Sequence, residues 1–213
     1  MTQLSLNHND FSGPLPEWDA PSLSYLNLAN LPLNASIPDG WWERMPALVI
    51  VDLSECGLSG PIPGALSPRS FSRFILSDNQ LTGGLPANIT AMFFDVSHNA
   101  LSGPVWLPNP QSFSEMVVNL AQNDLSCPIR LAQLDKLRRL NLQSGGFAGC
   151  DFSDAEQVQL PASLTTLDVS STRTTRSHSR FGNMQPHPFT LSPIAHAHSV
   201  FTSFVCCRLR PDL

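Results

Sequence analysis

The residue types that most often carry catalysis are sparse in this chain of 213 residues. Only two histidines, His8 and His98, precede residue 172, and a serine nucleophile needs a histidine base within hydrogen-bond reach. No phosphate-binding loop, nucleophile elbow or zinc-protease motif occurs. Late in the chain, His196 and His198 with Cys206–Cys207 have a spacing that matches no standard zinc site. The sequence therefore predicts no enzyme, no cofactor and no metal centre.

Charge and composition exclude further classes of protein. A net charge of -5 argues against a nucleic-acid partner. Charged residues make up 14% and hydrophobic residues 42% of the chain, a balance that favours a folded protein. No uninterrupted apolar run reaches the roughly 18 residues that a membrane helix needs, and the first ten residues do not resemble a secretory signal. We expect no membrane span or signal peptide in the sequence as it stands.

An internal repeat organises most of the sequence. Its marker is the second apolar residue of a short apolar–polar–apolar unit, which returns every 20 to 27 residues. We call these residues the anchors: Leu6, Leu28, Leu53, Leu76, Val96, Leu120, Leu142 and Val169. The alternation around each anchor predicts a short strand with one buried face. A single unit cannot bury that face alone, so neighbouring units must stack into a solenoid.

Other positions of the repeat have equally clear physical roles. Asparagine tends to follow the anchor by three residues, as at Asn79, Asn99 and Asn123, where its amide can pair with backbone groups of the bend. An apolar residue follows by five and glycine by seven, which keeps the interior filled and allows the chain to turn. The pattern weakens in the seventh unit, which loses the asparagine.

These units resemble the plant-type extracellular leucine-rich repeat. The match is literal in VIVDLSECGLSGPIP (49–63) and FILSDNQLTGGLP (74–86), and the resemblance covers residues 1–172. It implies an α/β repeat solenoid of about eight repeats, a right-handed superhelix with a parallel β-sheet on the concave face and 3-10 or irregular segments on the convex side. The terminal caps usual in that family are not recognised, which leads us to expect a fragment or a chain that needs a partner.

The resemblance also implies a function. The leading hypothesis is a non-catalytic recognition module of a receptor-like protein, outside the cell or at its surface, that binds a peptide, a glycan or a partner protein. One alternative is a secreted inhibitor of a hydrolase such as polygalacturonase. Another is a structural or ice-binding role, which a broken column of serines weakens.

Strand residues that flank the buried positions should point outward on the concave face. One residue before the anchor, asparagine or aspartate predominates; this column is either an ordinary solvated ladder or a row of acceptors for a ligand. Three and four residues before the anchors, apolar side chains form either an exposed patch or a local misregister that turns some of them inward. Arg138 and Arg139 add a basic pair that could receive a carboxylate. The predicted ligand-binding residues are Tyr25, Ile50, Asp52, Ile75, Met92, Phe93, Asp95, Met116, Val117, Asn119 and Arg139.

Covalent modifications can also be predicted. Asn34 and Asn88 each begin an N-glycosylation triplet on a loop. Cys127 and Cys150 follow successive anchors by seven and eight residues, so they should lie at similar heights on adjacent coils. They are either a disulfide or two free buried thiols.

A change of composition marks the end of the repeats. Five arginines and one aspartate occur after residue 172, together with four of the six histidines. We therefore predict a solenoid over residues 1–172 and a disordered, non-repeat tail over residues 173–213.

Overall fold

A computed structural model describes residues 1–65, 68–86, 88–107, 114–147, 150–151, 154 and 156–172, and the backbone of 189–190. The predicted tail therefore falls almost entirely outside the described residues. The strands are β1 (Gln3–Ser5), β2 (Tyr25–Asn27), β3 (Ile50–Asp52), β4 (Ser59–Pro61), β5 (Arg69–Ile75), β6 (Gln80–Gly83), β7 (Ile89–Asp95), β8 (Ala100–Trp106), β9 (Met116–Asn119), β10 (Asp124–Arg130), β11 (Leu137–Asn141), β12 (Val158–Gln159), β13 (Thr166–Asp168) and β14 (Phe189–Thr190).

One strand from each predicted repeat joins the main sheet. Its order is β1-β2-β3-β5-β7-β9-β11-β13, all parallel, and β14 pairs antiparallel with β13. The residues two before the anchors are in register across the sheet, for example Val51 with Phe74 and Phe74 with Phe94. The anchors Leu53, Leu76, Val96 and Leu120 are fully buried. The predicted solenoid with a parallel main sheet is therefore confirmed, with eight parallel strands in that sheet.

A second parallel sheet forms on the other side of the interior, in the order β12-β10-β8-β6-β4. The sequence pattern does not predict this sheet; 3-10 or irregular segments were expected there. In the described residues the one helix is the 3-10 turn Trp42–Arg44, so the helical part of the expected α/β class is small. Glycines with positive φ at Gly60, Gly83 and Gly103, together with frequent prolines, favour extended backbone over helix in these segments.

An aromatic cluster fills the interior beside the 3-10 turn. Trp42 is fully buried and lies 5.4 Å from Phe74 and 6.1 Å from Phe71, measured between ring centroids. Its Nε1 donates to the Pro63 carbonyl at 2.9 Å. Arg69 donates to the carbonyls of Trp42 and Met45 at 2.8 and 3.0 Å, while its burial lowers its pKa. These contacts attach the convex turn to β5.

The repeat asparagines Asn79, Asn99 and Asn123 form hydrogen bonds that connect their coils to the preceding coils. The Oδ1 of Asn79 accepts hydrogen bonds from the backbone N–H groups of Cys56 and Leu58, at 3.0 and 2.8 Å. Its Nδ2 donates to the Leu53 carbonyl of that earlier coil and to two carbonyls of its own turn. Asn99 and Asn123 repeat the arrangement in the next two coils. Each amide thus satisfies backbone groups that the bend would otherwise leave unpaired.

Cys127 and Cys150 are bonded in a disulfide, with their Cα atoms 5.5 Å apart. Cys56 is a free, buried thiol, and burial raises its pKa. Of the two alternatives that the sequence left open for Cys127 and Cys150, the structure therefore has the disulfide.

We expect loss of the Cys127–Cys150 disulfide to lower the free energy of unfolding by about 3 kcal/mol, because the bond closes a loop of 23 residues in the unfolded chain. The measurement is urea unfolding of the wild type and of the Cys127→Ala/Cys150→Ala variant. Cys56→Ala serves as the control for removing an unbonded buried cysteine. Equal unfolding midpoints for the wild type and the double variant would contradict a structural disulfide, as would two free thiols in a peptide map of the unreduced protein.

Candidate functional site

The outward face of the main sheet carries two parallel rows of side chains. Strand pairing places each member directly beside the next, at the roughly 4.8 Å spacing of neighbouring strands. Three residues before the anchors is the apolar–basic row: Tyr25, Ile50, Arg73, Phe93, Val117 and Arg139. One residue before the anchors is the carboxylate–amide row: Asn27, Asp52, Ile75, Asp95, Asn119, Asn141 and Asp168.

Most of the predicted apolar patch is present on this face. Tyr25, Ile50, Phe93 and Val117 are half-buried members of one row, and Ile75 lies in the other. Met92, four residues before its anchor, is half-buried but belongs to neither row. Val49, at the equivalent position of an earlier coil, is 45% exposed. The face therefore offers apolar surface across β2, β3, β5, β7 and β9.

Met116 is an exception, and its predicted place on the ligand-binding surface is wrong. The side chain is fully buried. Strand alternation puts Met116 and Val118 on the same side of β9, facing the interior like the anchor Leu120 that follows the strand. A register shift between β9 and β11 then pairs Met116 with Leu137, which is also fully buried. The misregister that the sequence left open thus occurs in this coil.

The carboxylate–amide row is largely engaged by its own coils. Asp52 Oδ1 accepts from the backbone N–H and the hydroxyl of Ser54, at 3.0 and 2.7 Å. Asp95 makes the same two bonds with Ser97, and its Oδ2 accepts from Asn119 Nδ2 at 3.0 Å. Such local bonds stabilise the turn after each strand. The asparagines and aspartates at this position therefore mainly form hydrogen bonds within the solenoid and are not a row of free acceptors for a ligand.

The basic residues of the face differ from one another. Of the predicted basic pair, Arg138 donates to the Ser163 carbonyl at 3.1 Å. Arg139 is exposed and lies on the apolar–basic row. Arg73 is exposed, and its Cζ lies 5.1 Å from the centroid of the Phe93 ring. Arg73 interrupts the apolar side chains of the row, between Ile50 and Phe93. Its position three residues before Leu76 was the available signal that it belongs to the row.

The two predicted glycosylation sites are both exposed. Asn34 lies on the loop between β2 and the 3-10 turn, and Asn88 immediately precedes β7. Each makes a long side-chain hydrogen bond of 3.3 Å to a nearby carbonyl, that of Pro32 or Ala65 respectively. Their exposure is compatible with a glycan, and modification of Asn34 and Asn88 stays a prediction.

Metal-binding clusters and membrane-spanning helices are both absent from the described part of the chain. Histidine, cysteine and acidic side chains do not gather there in a group that could hold a metal ion. None of the helices in the same residues has the length and apolarity to cross a membrane.

Comparison with known proteins identifies relatives of this solenoid. The family model for the leucine-rich repeat matches residues 47–68. Receptor-like protein 18 of Arabidopsis thaliana is 27% identical over 89% of this chain and 22% of its own length. Receptor-like protein 35 of the same plant is 29% identical over 68% of this chain and 19% of its own length. The chain thus spans about a fifth of the curated relatives it matches.

Two solved structures share the fold. A plant peptide hormone receptor, RGFR1, in complex with RGF2, superposes with a TM-score of 0.61 at 21% identity, over 81% of this chain and 28% of that one. The leucine-rich-repeat ectodomain of the Arabidopsis thaliana membrane receptor kinase GASSHO1/SCHENGEN3, in complex with Casparian strip integrity factor 2, gives a TM-score of 0.50 at 21% identity, over 80% and 24% respectively. At this level of identity the likeness concerns the fold.

Proposed function

We propose that this leucine-rich-repeat solenoid is a non-catalytic recognition module that binds a peptide or a protein segment on its concave face, outside the cell. The observation that carries the proposal is the apolar surface of the apolar–basic row, which runs across consecutive strands in register. Exposed apolar surface that extends over several strands is a feature of interaction sites.

The relatives support the same proposal. The matched relatives are receptor-like proteins, and both structural neighbours were solved in complex with a partner, RGF2 or Casparian strip integrity factor 2. A glycan ligand has no such support. The engaged state of Asp52 and Asp95 also leaves fewer free acceptors for sugar hydroxyls on this face.

The geometry suggests how a ligand would lie. An extended segment placed across the strands would contact one member of each row per coil, since neighbouring strands are about 4.8 Å apart. Half-buried Ile50, Phe93 and Val117 would supply apolar contact, and the paired amides and carboxylates beside them would form a rigid polar border. Rigid side chains lose little conformational freedom on binding, which favours affinity.

We expect Phe93→Asp to abolish binding of concave-face ligands, because the change removes the central aromatic side chain and buries a charge against the apolar row. The probe is a set of synthetic peptides enriched on the wild-type protein from a random peptide library. Their affinity for wild type and variant would be measured by calorimetry, and the fold checked by thermal unfolding.

Trp106→Asp is the matched control, since Trp106 is 48% exposed on the second sheet. It should leave peptide affinity unchanged. Equal affinity of wild type and Phe93→Asp, or failure of the intact protein to enrich any peptide, would overturn the proposed function.

A further inference from the structure

One strand of the main sheet reverses the order of its outward side chains. On β3 and β7 the outward pair is apolar and then acidic, as in Ile50 with Asp52. On β5 it is basic and then apolar, namely Arg73 and Ile75. Because Ile75 replaces the acid of the neighbouring strands, Arg73 has no carboxylate partner on its own strand. A cation therefore stands in the middle of the apolar patch.

The guanidinium of Arg73 is held in place without being neutralised. Its Cζ lies 5.1 Å from the Phe93 ring centroid, and strand pairing sets Ile50 on its other side. Stacking on an aromatic ring orients a guanidinium while leaving its N–H groups available. Among the described residues, no carboxylate lies within salt-bridge distance of Arg73 and no hydrogen bond is made by its guanidinium.

The nearest acids of the face do not compete for this cation. Asp52 is bonded to Ser54, and Asp95 to Ser97 and Asn119. Moving either carboxylate to Arg73 would break these bonds and open the turn that follows its strand. The free charge available to a ligand at the centre of the patch is therefore positive, although the chain as a whole carries a net charge of -5.

We propose that Arg73 is the specificity-determining residue of the concave face and that it binds a carboxylate of the peptide ligand. The guanidinium fork matches a carboxylate with two parallel N–H···O bonds, and the surrounding apolar side chains strengthen such bonds by excluding water. The carboxylate belongs to a ligand residue flanked by apolar side chains that contact Ile50 and Phe93. This inference rests on the proposed function, and it assigns the ligand a chemical class.

The test uses peptides enriched from a random library on the intact wild-type protein. We expect the enriched sequences to share an acidic group beside apolar residues, and Arg73→Gln to weaken their binding by about tenfold to a hundredfold, the value of a charge-assisted hydrogen bond. Arg73→Glu should enrich peptides with lysine or arginine at the same place. Synthetic versions with Glu→Gln or Asp→Asn, and with an amidated carboxyl terminus, show whether a side chain or the chain end supplies the carboxylate.

Arg130→Gln is the matched control, because Arg130 is an exposed arginine on β10 of the second sheet. It should bind the peptides like the wild type. If enriched peptides lose affinity for Phe93→Asp but bind Arg73→Gln as tightly as the wild type, the inference is wrong and the proposed function stands. If Phe93→Asp also binds normally, or no peptide is enriched, both are wrong.

Discussion

Replacing Trp42 with alanine should lower the free energy of unfolding by about 4 kcal/mol, within the range for deleting a large aromatic side chain from a packed interior. Trp42 is fully buried among Trp41, Phe71 and Phe74, and its indole N–H is bonded to the Pro63 carbonyl. The variant would lose these ring contacts and leave that carbonyl without its partner. Urea unfolding followed by circular dichroism measures the difference.

Trp106→Ala is the comparison, because it deletes the same side chain from a position that is 48% exposed. We expect it to change stability by less than about 1 kcal/mol. Similar losses for the two variants would show that the aromatic cluster at the 3-10 turn contributes no more to the stability of the solenoid than an exposed tryptophan does.

The second large effect is expected from Asn79→Ala, which should lower the free energy of unfolding by roughly 4 kcal/mol. The change leaves the backbone N–H groups of Cys56 and Leu58 without acceptors inside the protein, and each unsatisfied buried donor costs about 1 to 3 kcal/mol. Three carbonyls, those of Leu53, Leu76 and Ser77, also lose a donor. Thermal and urea unfolding would measure the loss, and hydrogen exchange should reveal faster exchange at Cys56 and Leu58.

Asn9 occupies the equivalent position of the first coil and provides an internal control. It is exposed, and its Nδ2 donates only to the carbonyls of Leu6 and Asn7 in its own turn. We expect Asn9→Ala to cost less than about 1 kcal/mol. An Asn79→Ala variant as stable as Asn9→Ala would refute the role assigned to the bonds between coils.

The repeat spacing was sufficient to predict the main sheet. Because each coil must bury its strand against the next, a column such as Val51, Phe74 and Phe94 can be satisfied in only one register, and the structure has that register. The same logic placed Cys127 beside Cys150. The second sheet was missed because its strands bury few residues among serine, glycine and proline: β4 buries none, and β8 buries only Leu101 and Val105, a pattern that sequence alone does not distinguish from loop.

The candidate site was less predictable than the fold. Counting back from the anchors identified Tyr25, Ile50, Phe93 and Val117 as outward-facing, but a count of four placed Met116 outside although strand alternation turns it inward. The stacking of Arg73 on Phe93 depends on side-chain conformation across two strands that are 20 residues apart in the chain. Periodicity predicts which side of a strand a residue occupies, and it does not predict which neighbour a long side chain contacts.

The asparagine bonds give the solenoid a direction. Asn79 accepts from the turn that contains Cys56 and Leu58, and Asn99 accepts from Leu81, so each of these bends depends on the coil that comes after it in the chain. Damage to one coil should therefore spread toward lower residue numbers, with amide protons lost first on that side. Unfolding of this molecule is therefore expected to be directional, proceeding from a damaged coil toward the N-terminal end of the solenoid.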